Sequence, residues 1–338
     1  MPLSAVDSIS PAFEHTRRQL FHPFRFGQWV RLALVGLLAG ELSGGGCNTN
    51  FSNFKDLHRV TTLPAGISPA AFAAMITVVL MAAFVLAILF MYIGSVMRFI
   101  LFDSVLTREC HIREGWGRRQ GPAWRYFLWK LGYSLVTLVI LVIVVGIPAG
   151  FAFAAGWLRN PKAHIAPLVL LGIAVFFVLA FLLVATAVIA VLTKDFVVPQ
   201  MALEEIGAIE GWRRLWAMMK EEKGGYAGYI GMKIVLAIAV GILLGIIGFV
   251  VGLIIFLPAA AFVIAIVIAA KSAGMGWTVW TITLAIVAAC IFIVVFLFLT
   301  AMISVPAIVF FPAYSIYFLA PRYPRLSAAL YPAPPAPM

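Results

Sequence analysis

Residues 165–193 read IAPLVLLGIAVFFVLAFLLVATAVIAVLT, an apolar stretch without one charged side chain. A helix needs roughly 20 such residues to cross a ~30 Å hydrocarbon core, and this run exceeds that. Working outward, 69–97, 131–158 and 234–270 have the same character. In lipid every backbone N–H and C=O must be bonded within the protein, so these runs are read as helices. A transmembrane barrel would show alternating segments of about 10 residues, whereas here both faces of each run are apolar. Hydrophobic residues make up 64% of the 338 and charged ones 11%, against about 25% charged in soluble domains. The expectation is an all-α, polytopic helical membrane protein. The longest polar span, 194–225, leaves no room for a soluble catalytic fold.

The formal charge of +11 follows from membrane topology, because cytoplasmic loops keep an excess of Lys and Arg. No nucleic-acid partner is expected. Six spans are read, at about 28–46, 69–100, 126–150, 165–193, 228–257 and 277–302, with eight as the alternative if Pro258 and Pro306 mark turns. Of the 24 Lys and Arg, five (Lys55, Arg59, Arg159, Lys162 and Lys271) fall in outer loops, leaving 19 inside. That bias places both termini in the cytoplasm. The organisation expected is a cytoplasmic N-terminal segment over 1–27, a single transmembrane helical domain over 28–319, and a Pro-rich disordered tail over 320–338.

Three openings look alike: Phe26-Gly-Gln-Trp-Val-Arg31, Tyr126-Phe-Leu-Trp-Lys130 and Tyr229-Ile-Gly-Met-Lys233. Each sets bulky or aromatic residues beside one cation, a group suited to the headgroup level. Glu114-Gly-Trp-Gly-Arg-Arg119 is answered by Glu210-Gly-Trp-Arg-Arg214. The reading is three repeated two-helix hairpins (about 24–115, 122–223 and 225–319), with cytoplasmic interfacial helices between them.

Within 203–222, Ile206, Ile209, Trp212, Leu215, Trp216 and Met219 recur at helical spacing, so an amphipathic helix on the inner leaflet is expected. Glu210 and Arg214 form an i, i+4 pair on its other face. The link 103–130 carries six cations against three acids, and its Arg118, Arg119, Arg125 and Lys130 are candidate contacts to lipid headgroups. Glu41 is the candidate intramembrane polar site, because it is the one acid well inside an apolar segment. Gly241, Gly245, Gly248 and Gly252 are read as a helix-packing face. The chain has no HExxH, GxSxG or P-loop, and its histidines lie in loops. No catalytic residue, metal or cofactor is expected.

Phe24-Arg-Phe-Gly-Gln-Trp29, Phe102-Asp-Ser-Val-Leu106, Glu210-Gly-Trp-Arg-Arg214 and Gly224-Gly-Tyr-Ala-Gly-Tyr229 resemble an uncharacterised family of bacterial multi-pass membrane proteins. That family is similar to the membrane domain fused to some glycerophosphodiester phosphodiesterases. The resemblance implies a bacterial inner (cytoplasmic) membrane location and a role in envelope or lipid physiology. It carries no hydrolase activity, since no hydrolase domain accompanies it. The function expected is a non-enzymatic, lipid-associated scaffold or accessory factor. Its partners would be the phospholipid bilayer, anionic lipids and a membrane protein. A small-molecule transporter or channel with a polar path near Glu41 is the second reading.

Overall fold

The computed structural model describes residues 4–41, 69–272 and 279–331. Among these, every regular element is helical. The helices are α1 (Ile9–Phe21), α2 (Phe26–Leu38), α3 (Pro69–Thr107), α4 (Ile112–Ala154) and α5 (Ile165–Leu192). They continue as α6 (Val198–Glu204), α7 (Ala208–Glu221), α8 (Lys223–Ser272), α9 (Val279–Leu319) and α10 (Pro324–Leu330). A π-helical turn, Thr193–Val197, joins α5 to α6.

Among the described residues, five helices are long and apolar enough to cross a membrane: α3, α4, α5 with its continuation to Glu204, α8 and α9. The protein is a membrane-embedded helical protein. The first span expected, 28–46, differs. Its described part forms α2, whose 13 residues rise only about 20 Å, short of the ~30 Å core. Residues 42–46 lie outside the described segments. The eight-span alternative also gives way, since α8 runs unbroken past Pro258 and α9 past Pro306.

The long helices exceed what a bilayer needs. The 39 residues of α3 extend about 58 Å, and the 50 of α8 about 75 Å. Each divides into an exposed apolar length and a buried end. In α3, Met75 to Phe90 carry the exposed side chains, while Val96, Phe99, Ile100 and Val105 are buried. In α9, Ile286 to Phe298 are exposed, and Val305, Ile308, Tyr314 and Phe318 are buried. None of the residues in the most apolar 18-residue window of α3, α5 or α8 is buried. The helix-packing face expected on α8 is not formed, since a Cβ on Gly241, Gly245, Gly248 or Gly252 would find no neighbour within 4 Å.

Where a single domain is expected, the chain falls into two compact units. One gathers Met1–Ala5, Gly117–Ile230 and Ser315–Met338; the other gathers Val6–Trp116 and Gly231–Tyr314. In the second, α2 runs antiparallel to the last part of α3. Gln28 Nε2 donates to the Arg108 carbonyl at 2.7 Å, and a Cβ on Gly94 would lie 2.8 Å from the Leu38 carbonyl oxygen. Helix α1 docks on the same end of α3. His15 Nε2 lies 2.8 Å from the Val105 carbonyl oxygen, and Gln19 Nε2 donates to that of Ser104 at 2.8 Å. Part of the tail expected to be disordered is ordered in the first unit: α10 buries Leu326 completely.

Candidate functional site

In the first unit, the polar side chains converge where α5 ends. The π-turn inserts one residue per turn beyond α-helical spacing, a local irregularity often associated with functional sites. Its Asp195 is 2% exposed and accepts a hydrogen bond from the Tyr229 hydroxyl at 2.9 Å. Around it the rings of Phe196, Tyr226, Tyr229 and Phe318 pack with centroids 4.6 to 5.9 Å apart. Edge and tilted contacts of this kind add roughly 0.5–1.5 kcal/mol per pair beyond buried area.

Two ion-pair groups tie the neighbouring elements to this cluster. Glu204 accepts from Arg214 at 2.6 Å and from the Tyr323 hydroxyl, and it forms an ion pair with Arg325 of α10 at 3.4 Å. Glu222 receives both arms of Arg322 at 2.7 Å, and the guanidinium lies 3.9 Å from the Phe318 ring centroid. The Arg322 bond holds the Glu222 carboxyl below the usual carboxylate range. Burial first, and then the bond to Glu204, push the Tyr323 phenol up. The i, i+4 pair expected on α7 is present, with Arg214 Nε 3.2 Å from Glu210.

The apolar face of α7 divides. Ala208, Gly211 and Leu215 are its buried residues, whereas Ile209 is 80% and Trp216 56% exposed. The small side chains explain the choice, because a Cβ on Gly211 would come 2.7 Å from Val197 Cγ1. Ile209 and Trp216, seven residues apart, share the other side with Arg213 and Lys220 at helical spacing. The matching glycine of the earlier motif, Gly115, likewise faces the end of the preceding helix, where a Cβ would lie 3.1 Å from Ile100 Cγ1.

Of the four cations expected at headgroups, two are engaged by backbone. Arg119 donates to the Ala202 carbonyl at 2.5 Å, and Arg125 donates to that of Glu205. These carbonyls close α6, where Glu205 takes a left-handed φ of 55°. Cations there satisfy orphan carbonyls and oppose the negative end of the helix dipole. Arg118 is exposed and Lys130 half-buried on α4. The sequence could not show this, because α6 has only seven residues and no periodicity of its own.

In the second unit, Glu41 lies 2.7 Å from Arg98 of α3, with side-chain exposures of 6% and 12%. The same guanidinium donates to the Ala39 carbonyl beyond the end of α2. His15 has its imidazole pushed below the ordinary value, by burial first and then by the charge of Arg108. Among the described residues no group of three His, Cys, Asp or Glu side chains could hold a metal ion.

The match to a family model spans residues 3–329 and therefore takes in α1 through most of α10. The chain belongs to DUF7544, a family of unknown function. No curated protein and no solved structure matches it. The likeness to the membrane domain of glycerophosphodiester phosphodiesterases has no counterpart in these matches.

Proposed function

We propose that this protein is a non-enzymatic, lipid-associated scaffold or accessory factor of a bacterial inner membrane, with both termini in the cytoplasm. The observation that carries this is the division within each long helix. Hydroxyls along the exposed apolar lengths bond carbonyls of their own helix, as Thr77 to Ala73, Thr137 to Tyr133 and Thr300 to Phe296. The charged side chains are engaged at the buried ends, in pairs such as Glu204–Arg214 and Glu222–Arg322. Such a molecule presents apolar helices to lipid and a folded, cation-rich helical surface beside it. The 19-to-five bias of Lys and Arg supports the cytoplasmic orientation.

Native mass spectrometry of the gently extracted protein tests the reading. Retention of a stoichiometric second chain or of specific anionic lipids is the expected result. A bare monomer without lipid would overturn it.

The buried Glu41–Arg98 pair favours a second reading, a small-molecule transporter or channel, since ionisable groups in apolar surroundings are often functional. Loss of solute uptake into vesicles carrying Glu41→Gln would establish that reading over the first.

A further inference from the structure

We infer that the N-terminal end of the second unit is a binding site for the phosphate-bearing headgroup of an anionic lipid, built by Arg17, Arg18, Arg25 and Arg108. This deepens the lipid-associated reading and rests on it. Helix α1, the turn after it, the start of α2 and the end of α3 enclose a cavity of about 630 Å³. Four arginines line it against two acids, Glu14 and Glu109, a net of two positive charges. Arg18 pairs with Glu14 at 2.6 Å, and Arg25 lies 3.7 Å from Glu109. Arg17 and Arg108 pair with no acid among the described residues. The cavity therefore presents two uncompensated guanidinium groups, each able to hold phosphate oxygens through paired N–H donors.

Two further features point the same way. Arg108 sits at φ 61°, the left-handed position after α3 where glycine is usual. A branched-chain-free but Cβ-bearing residue there costs roughly 1–2 kcal/mol. That position directs attention to what Arg108 supplies, a cation at the cavity. The Arg108 carbonyl, which would repel an anion, is also occupied, because it accepts from Gln28 Nε2 at 2.7 Å.

The occupant is a lipid because of what surrounds the cavity. Phe13, Phe21, Phe24 and Phe26 are 50–63% exposed on the same elements, and Phe21 and Phe24 pack against Trp29 at 5.9 and 5.6 Å. Rings at Phe21, Phe24 and Phe26 beside the cation of Arg25 match the headgroup level of a bilayer. A free phosphate would make no use of them.

The test uses the full chain in detergent, stripped of lipid and titrated with dioctanoyl phosphatidic acid, dioctanoyl phosphatidylcholine or inorganic phosphate, with bound lipid scored by native mass spectrometry. Phosphatidic acid should bind at least tenfold more tightly than either of the others. The double variant Arg17→Gln/Arg108→Asn should weaken it about twenty-five-fold, at about a fivefold loss per cation. Asn is chosen because it tolerates the left-handed backbone. Arg159→Gln, outside the cavity, should leave binding unchanged, and an unfolding temperature equal to wild type certifies the fold of each variant. Phe21→Ser/Phe24→Ser should remove the advantage over inorganic phosphate. Equal binding of phosphate and phosphatidic acid by the wild type would overturn the lipid assignment. Unchanged phosphatidic acid binding in the folded double variant would overturn the site. Failure here with a stoichiometric partner still retained would leave the scaffold reading standing. Success here in a protein that retains no partner or native lipid would remove the scaffold and leave the site.

Discussion

Replacing Gly211, Gly115 and Gly117 by alanine, one at a time, measures whether the two Glu-Gly-Trp motifs are packing elements. At Gly211 the new methyl would lie 2.7 Å from Val197 Cγ1, about 1 Å inside the 3.5–4.0 Å optimum for carbon pairs. Relieving that overlap costs roughly 1–3 kcal/mol. Removing a helical glycine returns up to about 1 kcal/mol, so Gly211→Ala should destabilise by about 1 kcal/mol. At Gly115 the new methyl would lie 3.1 Å from Ile100 Cγ1, a side-chain atom that can give way, and at Gly117 it would meet nothing within 4 Å. Gly115→Ala should therefore fall near zero, and Gly117→Ala should stabilise by about 1 kcal/mol. The expected spread between Gly117→Ala and Gly211→Ala is then about 2 kcal/mol. Unfolding by SDS in mixed micelles, followed by tryptophan fluorescence, resolves such a difference. If Gly211→Ala proves as stabilising as Gly117→Ala, the close approach of α7 to the π-turn is wrong. The pairing of the two motifs as equivalent parts of a repeat would fall with it.

Burial, and then the charge of Arg108, hold the His15 pKa in the fold below the ordinary 6.5. The unfolded chain alone takes up a proton first, so docking of α1 is fully stable above that pH and weakens as pH falls below it. Amide exchange of α1, corrected for intrinsic rates, should show less protection at pH 5.5 than at 7.5, and His15→Gln should remove most of the difference; equal protection in the wild type would refute the linkage. Arg119→Gln and Arg125→Gln should each cost about 1 kcal/mol through the lost bond to an α6 carbonyl, with lipid retention unchanged. Lost lipid without lost stability would return these arginines to the headgroup role. Arg322→Met keeps the volume over Phe318 but removes the two bonds to Glu222, a half-exposed partner, so a loss of about 1–2 kcal/mol is expected. Amides of α10 should then exchange about tenfold faster, and an unchanged rate would show that the pair does not hold α10.

The sequence by itself determined the solvent and the element type. Runs such as 165–193 carry no charge, and in lipid an unpaired backbone admits only the helix. The i, i+4 pair of Glu210 and Arg214 was also legible, because both partners sit on one short helix. Tertiary structure decided which apolar residues leave the lipid. Phe90 and Phe99 of α3 are the same apolar residue, yet the first is exposed and the second buried, because hydropathy treats lipid and protein core as one environment. For the same reason hydropathy marks α2 as a span, whereas its contacts with Gly94 and Arg108 show a short helix lying along α3. The cations were visible as residues but not as partners. Arg119 meets Ala202, and Arg98 meets Glu41, across separations of 83 and 57 residues. Nothing local to either side chain encodes such a pairing, since it is fixed by where the helix ends come to rest.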